Sequence, residues 1–176
     1  DGIRDVERSR GLGDVYKRQF DAYVNIQGDE PYIDPTQINQ VCEILMEREG
    51  AFVGTLVKQL RDISALQNPN TIKAVFANNG QAIYFSRSPI PYMRDEKMLE
   101  AWQKERGFFK HIGIYGYSKL GLAAIRSMDR GSLEKAESLE QLRWMENGMP
   151  IYVAETTLET QSVDSPEDLE KLPSAK

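Results

Sequence analysis

Apolar residues in this chain recur with two spacings, one of period two and one near 3.6, and their interleaving predicts an α/β fold. Tyr23 to Ile26 reads as a strand. Asp34 and Pro35 then supply an N-cap and a first-turn proline, after which Ile38, Val41, Cys42, Leu45 and Met46 fall at helical spacing. Phe52 to Val57 reads as a second strand. Asn68-Pro69-Asn70 interrupts the chain before a third, Thr71 to Phe76. Asn78-Asn79-Gly80 is a tight-turn signal followed by Ala82 to Phe85, which predicts a hairpin. Pro89 and Pro91 cannot continue a sheet, so Ser86 to Pro91 should leave it. Met98 to Lys104 reads as a short helix, and Phe109 to Tyr117 as an aromatic, glycine-punctuated strand or loop.

Three helices are predicted in the remaining chain. Ser118 caps the first, with Leu120, Leu122, Ala123 and Ile125 supplying its apolar contacts. Ser132 caps the second, whose stripe is Leu139, Leu142 and Met145 and which ends at Gly148 and Pro150. After a strand at Ile151 to Ala154, a brief third helix opens with Ser165, Pro166, Glu167 and Asp168.

The first nineteen residues break this order. They hold four acids, five bases and three glycines with almost no apolar periodicity, too little to offset the entropy of ordering. The run from Gly11 to Gln19 resembles translated adapter or vector sequence. Residues 1–19 are therefore expected to be a foreign or disordered tail, and 20–176 to form one domain with a hairpin excursion near 71–86.

Composition narrows the function classes. A net charge of −5 gives no general attraction to nucleic acid or to an anionic membrane. No apolar run approaches the roughly 18 residues of a membrane span. Cys42 is the single cysteine and His111 the single histidine, which excludes an internal disulfide and any site built on several thiols or imidazoles. Cys42 falls within a helical apolar pattern and reads as a core thiol.

Candidate chemistry concentrates at a few places. Gln27-Gly28-Asp29-Glu30-Pro31 closes the first strand with a glycine and two adjacent carboxylates. Strand carboxyl ends carry the ligands of α/β sheets, and a carboxylate there can hold a hydrated divalent cation against phosphate; the same residues also suit a plain polar turn. Glu137, Glu140, Gln141 and Trp144 are spaced to share one helix face, which suits a binding surface and equally an ordinary solvated one. Arg87 and Arg94 flank the proline-rich loop, where a guanidinium could grip an anion or simply lie on the surface. Asp164 precedes a predicted helix start, as a turn residue or a second carboxylate for a cation. His111 is open to a structural or a ligand-binding reading.

Four segments together resemble the 3-deoxy-manno-octulosonate cytidylyltransferase (CMP-Kdo synthetase) family. They are Asn25-Ile-Gln-Gly-Asp-Glu-Pro31, Tyr84-Phe-Ser-Arg87 with Ile90-Pro91, Lys110-His-Ile-Gly-Ile-Tyr-Gly-Tyr117, and Leu139-Glu-Gln-Leu-Arg143. Val163-Asp-Ser-Pro-Glu-Asp-Leu169 completes them in the family's order, and Asn68-Pro69-Asn70 with Lys73 also fits. The resemblance covers about Phe20 to Leu172. It implies a Rossmann-like three-layer nucleotidyltransferase fold of glycosyltransferase-A type, with a mixed sheet lacking its first βα units. It further implies transfer of CMP from CTP to the anomeric hydroxyl of the eight-carbon sugar acid Kdo, in the cytoplasm, for lipopolysaccharide synthesis. Asp29 and Asp164 would be the catalytic carboxylates that ligate Mg2+. Gln27 would lie at the nucleotide–sugar junction, with Arg87, Arg94, His111, Tyr115, Glu140 and Gln141 lining the Kdo pocket. The resemblance also implies a homodimer.

Two family segments have no counterpart here: the early Ser-x-Arg-Leu-Pro-Gly-Lys loop that grips triphosphate, and a later Arg-x-Asp-His-x-Ser-Gly-Thr stretch that helps bind nucleotide. Two other readings stand beside transfer to Kdo. One is another sugar-nucleotide enzyme, acting on sialic acid or 8-amino-Kdo; the other is a non-catalytic interaction or dimerisation module. For this 176-residue chain by itself, little or no CMP-Kdo should form from CTP and Kdo in a pyrophosphate-release assay. Sustained formation would contradict that expectation.

Overall fold

The computed structural model describes residues 21–28 and 33–158. They form a six-stranded mixed sheet with helices on both faces. The strands are β1 (Ala22–Asn25), β2 (Val53–Leu60), β3 (Lys73–Phe76), β4 (Ala82–Ser86), β5 (Phe108–Ser118) and β6 (Ile151–Glu155). The helices are α1 (Pro35–Glu47), α2 (Glu96–Glu105), α3 (Lys119–Ile125), α4 (Ser132–Glu137) and α5 (Gln141–Glu146).

The eleven-residue β5 organises the sheet. Along one edge it pairs with β2 over nearly its whole length. Along the other, its first residues pair with β3 and its last four with β1, so two separate strands share that edge. The strand order is β4-β3-β5-β2-β6, and β6 lies parallel to β2. Between Thr55↔Tyr115 and Leu56↔Ile112 the register skips Gly113 and Ile114. Two extra residues bend β5 without changing which side chains face which way, because the side-chain period is two. The tip of the β3–β4 hairpin returns to β6, where the Val153 amide donates to the Gly80 carbonyl at 2.8 Å.

The alternation sorts β5 cleanly. Ile112 and Ile114 pack with Leu56 beneath Val41 and Ile44 of α1. Phe109, Tyr115 and Tyr117 join Val53, Val57, Ile151 and Val153 in the second core, under Leu122 of α3 and Leu142 and Trp144 of α5. Gly54 and Gly116 are direct cross-strand partners under α1. A β-carbon on Gly54 would stand 3.0 Å from Ile44, and one on Gly116 would stand 3.1 Å from Leu45. This glycine pair lets the helix sit close to the sheet, where each buried aliphatic side chain is worth about 1.5–3 kcal/mol.

Most predicted elements occur, with boundaries shifted by one to three residues. Asp34 caps α1 by accepting from the Thr36 amide at 2.8 Å, and Ser118 caps α3 through the Gly121 amide at 3.1 Å. A short 3-10 turn at Ile63–Leu66 was not anticipated. The predicted helix from Ser132 to Met145 is two helices. Ser138 adopts the left-handed conformation, φ 52°, and ends α4, and Gly131 rather than Ser132 is the N-cap. Leu139 and Leu142 are buried all the same, so the stripe was correct while the continuous helix was not. Leu120 and Met46, expected to make apolar contacts, are exposed. The predicted tail at 1–19 and the helix opening at Ser165 lie outside the described residues.

Candidate functional site

Three groups of the sequence-nominated residues that the structure describes lie around β5. β1 stops at Asn25, and Gln27 and Gly28 follow it, exposed, at its carboxyl end. Asn25 pairs with Tyr115 across the strands, which puts the strand's end against the middle of β5. Tyr115 is buried, its ring centroid 5.1 Å from His111 and 5.2 Å from Trp144. Trp144 also meets Tyr117 edge-on at 5.6 Å. Gln141, one helical turn before Trp144 in α5, is buried, and Glu140 stands exposed at the α5 N-cap.

The electrostatics of this aromatic wall follow from burial. Tyr115 and Tyr117 are held neutral, their phenols pushed up first by burial, with the Glu140 charge contributing to both. The Tyr117 hydroxyl also bonds the Asn25 side chain, a smaller opposing effect. Glu140 is steadied by Arg143, whose Nη2 lies 3.4 Å away. Arg143 makes its stronger contact with Glu134, donating through Nε at 2.6 Å and Nη2 at 2.8 Å, and Arg130 adds a third donor at 3.0 Å. These contacts tie α4 to α5 and hold the Glu134 carboxyl below its ordinary range.

His111 is a neutral group whose orientation is fixed by a threonine. Its Nε2 lies 2.8 Å from Thr55 Oγ1, a fully buried hydroxyl at the β5 bulge. Thr55 Oγ1 also lies 2.6 Å from the Ile114 carbonyl oxygen and 3.3 Å from that of Ile112. A hydroxyl has one proton to give, and the short contact to Ile114 takes it. Thr55 must then accept from His111 Nε2–H, which leaves Nδ1 as a lone-pair acceptor. Burial pulls the imidazole down to about 3, and Phe85 closes its other side edge-on at 5.2 Å.

Arg87 is heavily engaged. Its Nε donates to the Glu137 carbonyl at 2.7 Å, Nη1 to the Pro69 carbonyl at 3.0 Å and Nη2 to the Ser138 carbonyl at 3.5 Å. Three of its five guanidinium protons are thus directed at main chain, leaving two. Arg94 is exposed in the loop before α2. Asp29 and Asp164 lie outside the described residues, and among those described no cluster of three or more His, Cys, Asp or Glu could hold a metal ion.

Sequence inspection missed Thr55 and left the role of Glu137 open. Thr55 sits inside the apolar strand Val53-Gly-Thr-Leu-Val57, and a lone polar residue in such a run was the available signal. Glu137 was read as a candidate for a solvated helix face; it is half-buried and bonded to β4, because Ser138 turns the chain away from the helix that would have exposed it. Two cavities lie apart from the nominated residues. One, of about 310 Å3, is apolar and lined by Phe76, Ile83, Pro91, Trp102 and Phe109. The other, of about 590 Å3, is polar and lined by Lys58, Arg61, Asp62, Lys110 and Glu155.

Comparison with known proteins places this geometry in a family. A cytidylyltransferase family model matches residues 9–155, beginning inside the stretch expected to be foreign. The chain is 47% identical over 152 residues to the 3-deoxy-manno-octulosonate cytidylyltransferase of Cytophaga hutchinsonii, covering 86% of this chain and 60% of that protein. It is 44% identical over 175 residues to the protein of the same name from Trichlorobacter lovleyi, covering 94% and 65%. The solved structure of a CMP:2-keto-3-deoxy-manno-octonic acid synthetase complexed with CTP superposes with a TM-score of 0.80 at 35% identity, covering 91% of this chain and 63% of that one. An inositol-1-phosphate CTP transferase from T. maritima shares the fold at a TM-score of 0.55 and 16% identity. The chain spans 60–65% of the length of these two curated relatives.

His111 carries a pH signature. Its folded-state pKa of about 3 lies below the ordinary 6.5, so the unfolded chain binds the extra proton first. Its contribution to stability is complete above pH 6.5 and is lost as pH falls toward 3. Urea unfolding of the wild type should therefore weaken across that window by up to about 1.4 kcal/mol per pH unit more than a His111→Gln variant does. Parallel pH profiles for the two proteins would show that the imidazole is not held neutral.

Proposed function

The chain belongs to the cytidylyltransferase family, and we propose that it carries the sugar-acid half of an enzyme that transfers CMP from CTP to the anomeric hydroxyl of Kdo. The observation that carries this reading is the convergence of His111 and Tyr115 of β5 with Glu140 and Gln141 at the start of α5, beside the carboxyl end of β1. Open α/β sheets bind ligands at such strand ends.

The donor set suits a polyhydroxylated sugar acid. Gln141 offers both a donor and an acceptor, and Glu140 and His111 Nδ1 offer acceptors for hydroxyl protons. Tyr115 supplies a neutral hydroxyl and an aromatic wall. The sugar's carboxylate would be met by Arg94 and by the two guanidinium protons that Arg87 keeps. A histidine held neutral down to about pH 3 is a poor base, so His111 acts here as a sugar contact and not as the proton acceptor.

The nucleotide side follows from the same reading. Gln27, exposed just past β1, would sit at the junction between nucleotide and sugar. The metal would be Mg2+, held by the carboxylates of Asp29 and Asp164, and it would supply charge neutralisation on the triphosphate. The placement of Gln27–Gly28 at a strand's carboxyl end supports a ligand role for the adjoining Asp29. Assembly as a homodimer, location in the cytoplasm and a role in lipopolysaccharide synthesis belong to this reading as well. Among the described residues no helix is long and apolar enough to cross a membrane.

Calorimetric titration of the chain with Kdo tests the proposal. Binding is expected, weakened roughly tenfold or more by Tyr115→Ala or Glu140→Gln, as the loss of a hydrogen bond to a charged or buried partner would cause. Tighter binding of a sialic acid than of Kdo would favour the alternative sugar. No binding of either would overturn the assignment.

A further inference from the structure

We propose that Glu137 is a positioning residue of the sugar-acid pocket, clasping the end of β4 to the α4–α5 junction so that Glu140, Gln141 and the Arg94 loop are set by one lock. The proposal rests on the reading of this site given above.

The clasp is reciprocal. The Glu137 carboxylate accepts from the Ser86 hydroxyl at 2.7 Å and from the Arg87 main-chain amide at 2.6 Å. The Arg87 side chain returns the contact, donating through Nε to the Glu137 main-chain carbonyl at 2.7 Å. Residues fifty positions apart thus hold each other by side chain and backbone in both directions. A second bond joins the Arg87 guanidinium to the Ser138 carbonyl, the residue whose left-handed φ of 52° ends α4. A third strand of the lock is Lys73. Its side chain is fully buried, and its ammonium donates to the Asn68 carbonyl at 3.0 Å and to the Arg87 carbonyl. Burial lowers the lysine's pKa while the Glu137 charge works to keep it protonated.

What the clasp fixes explains why it is more than packing. On one side lies Ser138, and two residues further on stand Glu140 and Gln141. On the other lies Ser88 to Pro91, which leads to Arg94. The two segments share no strand pairing, yet each must hold its groups against the same ligand. A carboxylate is suited to the task because both its oxygens only accept, matching the hydroxyl and the amide that point at it. Ser86, Glu137 and the three Arg87 guanidinium protons directed at main chain would then be spent on geometry, leaving the other two for the ligand.

The test uses the whole chain and three variants: Glu137→Ala, Glu137→Gln and, as a control on the opposite face of the sheet, Val41→Ala. Glu137→Ala is expected to weaken Kdo binding tenfold or more. It should also speed amide exchange at residues 140–143 and 86–88 together in the unliganded protein, with α1 unchanged. Glu137→Gln retains one acceptor oxygen for the Arg87 amide and can donate to Ser86, so it should restore affinity to within about threefold. Val41→Ala should lower the urea midpoint at least as far while leaving affinity within twofold. Equal loss of affinity in Val41→Ala would show that binding merely follows global stability and would overturn the proposal. So would unchanged exchange at 140–143 in Glu137→Ala, a result independent of whether the wild type binds Kdo. Failure of the wild type to bind Kdo, with the exchange pattern as expected, would remove the sugar assignment and leave the clasp.

Discussion

The bend in β5 is the constraint on which the rest depends. One strand pairs with β2 along one edge and with both β3 and β1 along the other, and the register shift against β2 falls between the stretches that β3 and β1 occupy. Two extra residues, Gly113 and Ile114, provide the bend. They also disturb the ladder in the middle of a buried sheet, where an unsatisfied carbonyl costs about 1–3 kcal/mol. Thr55 meets that cost. Its hydroxyl lies within hydrogen-bonding reach of the Ile112 and Ile114 carbonyls and of His111, so the residue that repairs the bulge also fixes the imidazole.

From that point the candidate site is assembled by addition. The bend sends Tyr115 and Tyr117 under α5, where Trp144 meets both rings. Trp144 in turn anchors the helix that begins at Gln141. The Arg143–Glu134–Arg130 ion network holds α4 against α5, and the Glu137–Arg87 clasp holds the same junction against β4. Glu134, Glu137 and Arg143 brace the scaffold, and the proposed sugar contacts Glu140 and Gln141 lie between them along the chain.

Much of this was legible in sequence because it is local. The Asp34 cap, the Asn79-Gly80 turn, the helical stripe of α1 and the proline exit after Ser86 each announce themselves within a few residues. The family resemblance named His111, Tyr115, Glu140 and Gln141, and the structure brings them to one neighbourhood. What stayed hidden depends on distant partners. A two-residue bulge preserves the in–out alternation of β5, so the pattern of Phe109 to Tyr117 gives no sign of it. The leucine stripe from Leu139 to Met145 reads as a continuation of the helix capped at Ser132, although Ser138, left-handed at φ 52°, ends α4 and its carbonyl meets Arg87 from a distant part of the chain. Glu137 reads as a surface glutamate for the same reason. The carboxylates Asp29 and Asp164 are named by resemblance alone and lie outside the described residues.

The central claim is that the aromatic wall formed by His111, Tyr115 and Trp144, with Glu140 and Gln141 beside it, holds the sugar acid. A crystal structure of the chain soaked with Kdo tests it most directly. The account predicts density for the sugar ring against Tyr115, with hydroxyls within hydrogen-bonding distance of Glu140, Gln141 and His111 Nδ1. Density confined to another part of the surface, such as the polar cavity beside Lys58 and Arg61, would contradict it.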